Sequence, residues 1–155
     1  MTRADVTIRA ATPDDAETVL VLVNEIAAHQ HQTDHVTAEA ATWRSLLTRS
    51  EVTVLLAEDD GHPVGYVSAV RRLHLWSGRD VVALDDLYVR ATHRDRSIGR
   101  QLMEELARRA EGRTITWGVQ PGNDAALRFY DRLGATSYPK VICAWPADRQ
   151  PQHRP

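Results

Sequence analysis

One cysteine, Cys143, is all the chain carries, so no internal disulfide can form and nothing requires an oxidising compartment. No apolar run approaches the length of a membrane span, and the first residues lack the apolar stretch of a signal peptide. Basic charge is not in excess: a formal net charge of −2 leaves no electrostatic case for nucleic acid. Repeats are absent, as are low-complexity tracts and linkers inside the domain. What remains is globular in character, with 43% hydrophobic and 26% charged residues in a chain of 155. That length suits one domain with a real core. A cytoplasmic protein without nucleic-acid or membrane partners is the expectation.

The pattern along the chain predicts a single mixed α/β domain over residues 1–146 and a flexible, proline-rich tail over 147–155. Val6 to Arg9 reads as a short strand. Thr12-Pro13-Asp14-Asp15 reads as a helix start, with Thr12 as cap, and Val19, Leu22, Val23 and Ile26 continue one apolar face. The polar stretch His29–Val36 ends that helix, and residues 37–47 suggest a second one, carrying Trp43, Leu46 and Leu47. Strands are predicted over 52–58, 64–75 and 81–89, separated by turns at 59–62 and 77–80. Later come a strand over 114–119, a helix from Asn123 closing at Gly134, and final strands at 136–138 and 141–145. Trp117 is expected to pack in the core.

The segment from Ala83 to Ala110 is the most informative. An apolar strand leads into a loop with Arg90, His93, Arg94 and Arg96, and then into an amphipathic helix. Ile98, Leu102, Met103, Leu106, Ala107 and Ala110 form the core-facing stripe of that helix. Gly99 lies in its first turn, where a missing side chain lets a ligand approach the backbone. The first amides of a helix lack acceptors and its dipole is positive there. Guanidinium groups feeding such an end make a site for phosphate.

This segment resembles the central motif of the GNAT acetyltransferase superfamily, a strand ending in a form of Leu-Tyr-Val followed by a loop of the type Arg-Gly-x-Gly-Ile-Gly. Leu87, Tyr88 and Val89 match the strand end, and Arg94, Ile98 and Gly99 match the loop. Asp95 and Ser97 stand where the pattern has glycines. Ser97 can donate to a phosphate oxygen, whereas a carboxylate at Asp95 must point to solvent or to Arg94 or Arg96. A second block, Trp117 to Ala135, resembles the family's Asn-led helix ending in Phe-Tyr-x-x-Leu-Gly-Ala, with Asn123, Ala126, Phe129, Tyr130, Leu133, Gly134 and Ala135 at the matching places. The resemblance covers roughly residues 5–145.

It implies the GNAT fold: an α+β arrangement in which a mixed, mostly antiparallel sheet of about six or seven strands is flanked by about four helices. The sheet would splay between the strands at 81–89 and 114–119. It also implies acetyl-CoA as co-substrate, with the pantetheine arm on the main chain of 87–89 and the pyrophosphate on Arg94, Asp95, Arg96, Ser97, Ile98, Gly99 and Arg100. Asn123 and Ala126 complete the cofactor set. The acceptor would be a primary amine, attacked directly in a ternary complex. Members of the family often form dimers, so a homodimer is an expectation of the same kind.

Tyr130 aligns with the family tyrosine whose hydroxyl lies near the cofactor sulfur, and a phenol is a plausible proton source for a thiolate. A core aromatic beside Phe129 is the alternative. Asp85 and Asp86 precede Leu87 on a strand that otherwise reads as buried, where charge is expensive without partners. Adjacent strand residues face opposite sides, so at most one faces the reaction centre directly. Similarity to polyamine-type members makes Asp85 the first choice and Asp86 the second. Each could bind an ammonium or accept its proton through water; a structural carboxylate paired with Arg71, Arg72 or Arg90 is the competing reading. His29, His31 and His35 have no cysteine beside them and doubtful helical continuity, so no metal is expected. That segment, Asp34 included, borders the acceptor pocket in the resembling family, and His74 and Trp76 share this uncertain standing.

The function expected is therefore acetyl transfer to a primary amine of a small, cationic molecule. Acetylation of a protein or peptide is the alternative among enzymes, and a non-catalytic acyl-CoA-binding module is the alternative outside them.

Overall fold

The computed structural model describes residues 5–151. They fall into two compact units that divide after Gly118. The first unit holds a five-stranded sheet in the order β1-β2-β3-β4-β5. The strands are β1 (Thr7–Ala10), β2 (Val52–Asp59), β3 (His62–His74), β4 (Arg79–Val89) and β5 (Ile115–Thr116). All neighbours are antiparallel except β4 and β5, which run parallel because the helix α3 (Ile98–Ala110) carries the chain across between them.

Helix α1 (Ala16–His29) follows a 3-10 turn over Pro13–Asp15. Asp15 fixes this start: its carboxylate accepts from the Thr12 backbone N–H at 2.7 Å and from Arg9 Nη1 at 2.8 Å. The predicted apolar face forms, and Val19, Leu22 and Ile26 are buried against Val54, Leu56 and Tyr66 of the sheet. The shorter α2 (Ala40–Leu46) adds Trp43 at the margin of this cluster. On the alternate positions of β2 and β3, Leu55, Ala57, Val67 and Ala69 are also buried, so the sheet is covered on both faces. Helix α3 lies against β1 to β4 and buries Ile98, Leu102, Met103, Leu106 and Ala110. Ala107, expected on that stripe, is exposed, because it sits at the margin of the contact where the helix turns to solvent.

Two details of the sheet shape the end where β4 leads into α3. The turn from β2 to β3 is Asp60-Gly61 with φ of 52° and 74°, the two left-handed residues that a tight hairpin takes. Between β3 and β4, Ser68 pairs with Asp86 and Ala69 with Leu84, leaving Asp85 as the extra residue of a β-bulge. A bulge turns a strand edge aside, and β5 pairs with β4 only at Val82 and Ala83, just before it. The strand predicted over 114–119 is accordingly two residues long. Among the described residues no strand pairs with that edge of β4 from Leu84 to Val89, which is the expected splay. Trp117 is half-buried rather than in the core.

The second unit contains α4 (Asp124–Arg132), capped by Asn123, whose Oδ1 accepts from the Ala126 backbone N–H at 3.2 Å. It stops at Gly134, φ 89°, as the glycine signal predicted. Residues 136–145 form no strand, and the sheet has five strands instead of six or seven. Pro139 removes one backbone donor between the two apolar runs, and Tyr138, Val141, Ile142 and Trp145 are exposed. Of the predicted tail, Ala147–Arg149 make a single 3-10 turn, and residues 152–155 lie outside the described residues. No helix among the described residues is long and apolar enough to cross a membrane.

Candidate active site

The acidic pair at the bulge is where the first unit departs most from an ordinary buried strand. Asp86 sits on the face of β4 shared with Tyr66 and Tyr88, and its Oδ2 accepts a hydrogen bond from the Tyr66 hydroxyl at 2.8 Å. Tyr66 is fully buried. Burial first, and then the charge of Asp86, hold its phenol well above the ordinary tyrosine range, so it is a neutral donor. The ring of Tyr88 packs edge-on against it, 6.4 Å between centroids.

Asp86 also lines a cavity of about 140 Å³ with Val23, Ile26, Ala27 and Gln30 of α1 and with Gln32, His35 and Val36 of the segment beyond. Apolar groups of the helix form one wall, amide and imidazole groups another, and one carboxylate joins them. Asp85 does not line this cavity; it is exposed at the bulge. The surrounding chain and then the charge of Asp86 raise its pKa above the ordinary carboxyl value. Two of the three arginines proposed as structural partners are occupied elsewhere. Arg71 meets Asp80 at 3.4 Å, and Arg90 meets Glu25 at 3.0 Å while donating to Pro63 O at 2.8 Å. Among the described residues no Lys, Arg or His forms an ion pair with Asp85 or Asp86.

At the end of β4, residues 87–89 present the main-chain edge that β5 leaves unpaired. Gly65 lies opposite, and a Cβ there would come within 2.6 Å of Tyr88 O, so this close approach of β3 to β4 requires glycine. Beyond Val89 the chain makes a 3-10 turn over Ala91–His93 and reaches α3 through residues 94–97. Asp95 and Ser97, which occupy the places of the two missing glycines, both have φ of 60°. The backbone has kept a glycine conformation without the glycines.

The loop's arginines divide in role. Arg94 is exposed and donates through Nε to Val89 O at 3.1 Å, and Arg100 pairs with Glu104 on the helix surface. Arg96 instead turns inward to Asp59 Oδ2 at 2.7 Å, so its guanidinium is not facing out for phosphate. Asp95 is exposed and paired with neither Arg94 nor Arg96, the solvent-facing alternative of the two. Ile98 is buried, and Gly99 is half-buried in the first turn.

In the second unit, the rings of Phe129 and Tyr130 meet edge-on at 5.2 Å between centroids. Burial raises the Tyr130 phenol above its ordinary value, which keeps it protonated. Asn123 serves α4 as its cap, an architectural task for a residue matched to the cofactor set. His29 and His31 are exposed, and only His35 of that cluster reaches the cavity with Asp86. His74 and Trp76, at the far end of the β3–β4 hairpin, make an edge contact with each other.

Tyr66 and Asp59 carried no mark in the sequence. Tyr66 is one position within the strand predicted over 64–75, and Asp59 falls in the turn predicted at 59–62.

Comparisons with known proteins bear on the family and the fold. The sequence profile described as the Acetyltransferase (GNAT) family matches residues 18–135. A thialysine N-epsilon-acetyltransferase of Caenorhabditis elegans is 26% identical over 129 residues, 81% of this chain and 80% of that protein. Among solved structures, an aminoglycoside acetyltransferase from an uncultured soil metagenomic sample superposes with a TM-score of 0.80 at 20% identity, covering 92% of this chain and 99% of that one. AAC(6')-Iy in complex with the bisubstrate analog CoA-S-monomethyl-acetylneamine gives a TM-score of 0.75 at 20% identity, with 92% and 98% covered. With its profile matched over residues 18–135, the chain belongs to the GNAT family of acetyltransferases.

Proposed function

We propose that this acetyltransferase uses acetyl-CoA to acetylate a primary amine on a small cationic molecule, and that Asp86 receives the amine. The observation that carries the proposal is a carboxylate in a cavity that, among the described residues, forms no ion pair with Lys, Arg or His. A charged group in such a place is costly unless a ligand or a hydrogen bond compensates it. The Tyr66 hydroxyl supplies one hydrogen bond, and a substrate ammonium supplies the charge. A volume of about 140 Å³ equals roughly five waters, enough for the end of an alkylammonium chain lying along Val23, Ile26 and Ala27. The rest of the acceptor would extend past Gln30 and His35.

The residues fit acetyl-CoA on three counts: the unpaired main-chain edge of β4, the left-handed turns at Asp95 and Ser97, and the free amides at the start of α3. In this reading the edge at 87–89 holds the pantetheine amides, and the main chain of 94–99 holds the pyrophosphate. Acetyl-CoA supplies the activated acetyl group and a thiolate leaving group. Asp86 orients the ammonium and takes its proton, directly or through water, so that the neutral amine can attack. Asp85, exposed outside the cavity, is the second choice for this role, and its contribution is the smaller. Tyr130 is the general acid for the departing thiolate. A neutral phenol is the protonation state this task needs.

A cofactor loop damaged by the replacements at Asp95 and Ser97 would favour the non-catalytic binding module. Because both adopt the glycine conformation, they give no reason to expect lost turnover. The thialysine enzyme is, by its own name, an acetyltransferase of an amino-acid amine, and it supports a small-molecule acceptor. A cytoplasmic location, the default for this composition, and a homodimer, as the resemblance implies, complete the proposal. Incubation of the purified protein with acetyl-CoA and a panel of amines tests it: thiol release with short diamines or basic amino acids is expected. Release only with peptides, or none with any amine, would refute it.

A further inference from the structure

The left-handed conformation that Asp95 and Ser97 share is disfavoured for residues with a Cβ, so local preference opposes the shape of the cofactor loop. Asp59 supplies what local preference does not. It ends β2 and is held in register opposite His62 by the tight Asp60-Gly61 turn. Its Oδ2 accepts from Arg96 Nη1 at 2.7 Å and lies 3.2 Å from His93 Nε2. One oxygen therefore grips the loop on both sides of Asp95, and Arg96 itself sits between the two left-handed residues. The contact is well shielded, with side chains 16% exposed at Asp59, 26% at Arg96 and 25% at His93. The Arg96 guanidinium lowers the Asp59 pKa below the ordinary range, so the clamp stays charged through neutral pH.

We infer that Asp59 is a positioning residue for the cofactor: by clamping Arg96 and His93 it imposes the loop conformation that glycines provide in the family pattern. This rests on residues 94–99 being the pyrophosphate site. It gives Arg96 a purpose consistent with its inward side chain, since the residue serves the ligand through main-chain geometry. It also explains how the chain can dispense with both glycines.

Calorimetric titration with coenzyme A tests the clamp. Asp59→Asn and Arg96→Gln should each weaken binding about tenfold or more, and the double variant should be little worse than either alone. The acceptor KM at saturating acetyl-CoA should stay within about twofold of wild type, because the clamp acts on the cofactor loop. Adding Asp95→Gly and Ser97→Gly to Asp59→Asn should bring affinity back to within about threefold of wild type, since glycine takes left-handed backbone unaided. Damage to general structure would not be repaired that way. If Asp59→Asn does not fold, Arg96→Gln with the same glycine pair makes the same comparison from the loop side. Wild-type affinity in folded Asp59→Asn or Arg96→Gln, or no recovery with the glycines, overturns the inference. Gly99→Trp separates the two levels. Lost binding there beside intact binding in Asp59→Asn removes the clamp alone, and intact binding in Gly99→Trp removes the pyrophosphate site beneath it.

Discussion

The Tyr66 hydroxyl donates to Asp86 Oδ2 at 2.8 Å, from a ring that is fully buried in the sheet. A neutral donor aimed at one oxygen fixes the carboxylate and leaves its other oxygen for a ligand. Tyr66→Phe removes that bond and little volume. The kcat/KM for the amine should fall, because the carboxylate that receives it loses the donor that fixes its orientation. The loss at neutral pH should be about three- to tenfold, the effect of roughly 1 kcal/mol. An unchanged kcat/KM would show that the bond serves packing only.

Tyr130→Phe should lower kcat by on the order of a hundredfold, as removal of a general acid does, with coenzyme A affinity nearly intact. Burial raises the phenol's pKa, so no loss of activity from its ionisation is expected below the ordinary tyrosine range. Weakened cofactor binding with kcat preserved would make the hydroxyl a binding group instead.

Ser97 adopts φ of 60°, where a side chain costs about 1 kcal/mol or more. Ser97→Gly should therefore raise stability by about 1 kcal/mol, or roughly 2–4 °C in Tm for a chain of this size. Thermal unfolding followed by circular dichroism checks this, and a fall in Tm would show that the serine hydroxyl makes up for the strain.

The carboxyl of Asp15, held by Arg9, has its pKa lowered to about 2 in the folded chain. A depressed folded value means that the unfolded chain binds the proton first. The stability it contributes is present above the ordinary value near 3.8 and is lost as pH falls toward 2. Its size is on the order of 1 kcal/mol after allowance for the partly exposed Arg9. Asp15→Asn should flatten the stability curve across that window, and an unchanged slope would assign acid sensitivity to other groups.

Much of the fold was legible because its signals are local. The apolar face of α1, the stripe of α3, the Asp60-Gly61 turn and the Gly134 stop each follow from residues a few places apart. The site was legible only as far as its motifs ran. Asp85 and Asp86 could be singled out but not ordered, since strict alternation hides a bulge; pairing of Ser68 with Asp86 and Ala69 with Leu84 is what leaves Asp85 outside the cavity. Ion pairs between distant residues, such as Arg96 with Asp59, carry no sequence signature, so the loop arginines all looked available for phosphate. The final strands misled because apolar runs around Pro139 have strand composition, while a strand also needs a partner.

Whether Asp86 receives a cationic acceptor is decided by steady-state kinetics of Asp86→Asn with a cationic amine and with a neutral amine of the same shape. For the cationic acceptor, kcat/KM should fall roughly ten- to hundredfold, the worth of a charge-assisted contact. The protein should stay folded, and Asp85→Asn should lose less. Discrimination between the two amines should shrink. Full activity of Asp86→Asn on the cationic amine, with discrimination retained, would contradict the role given to this carboxylate.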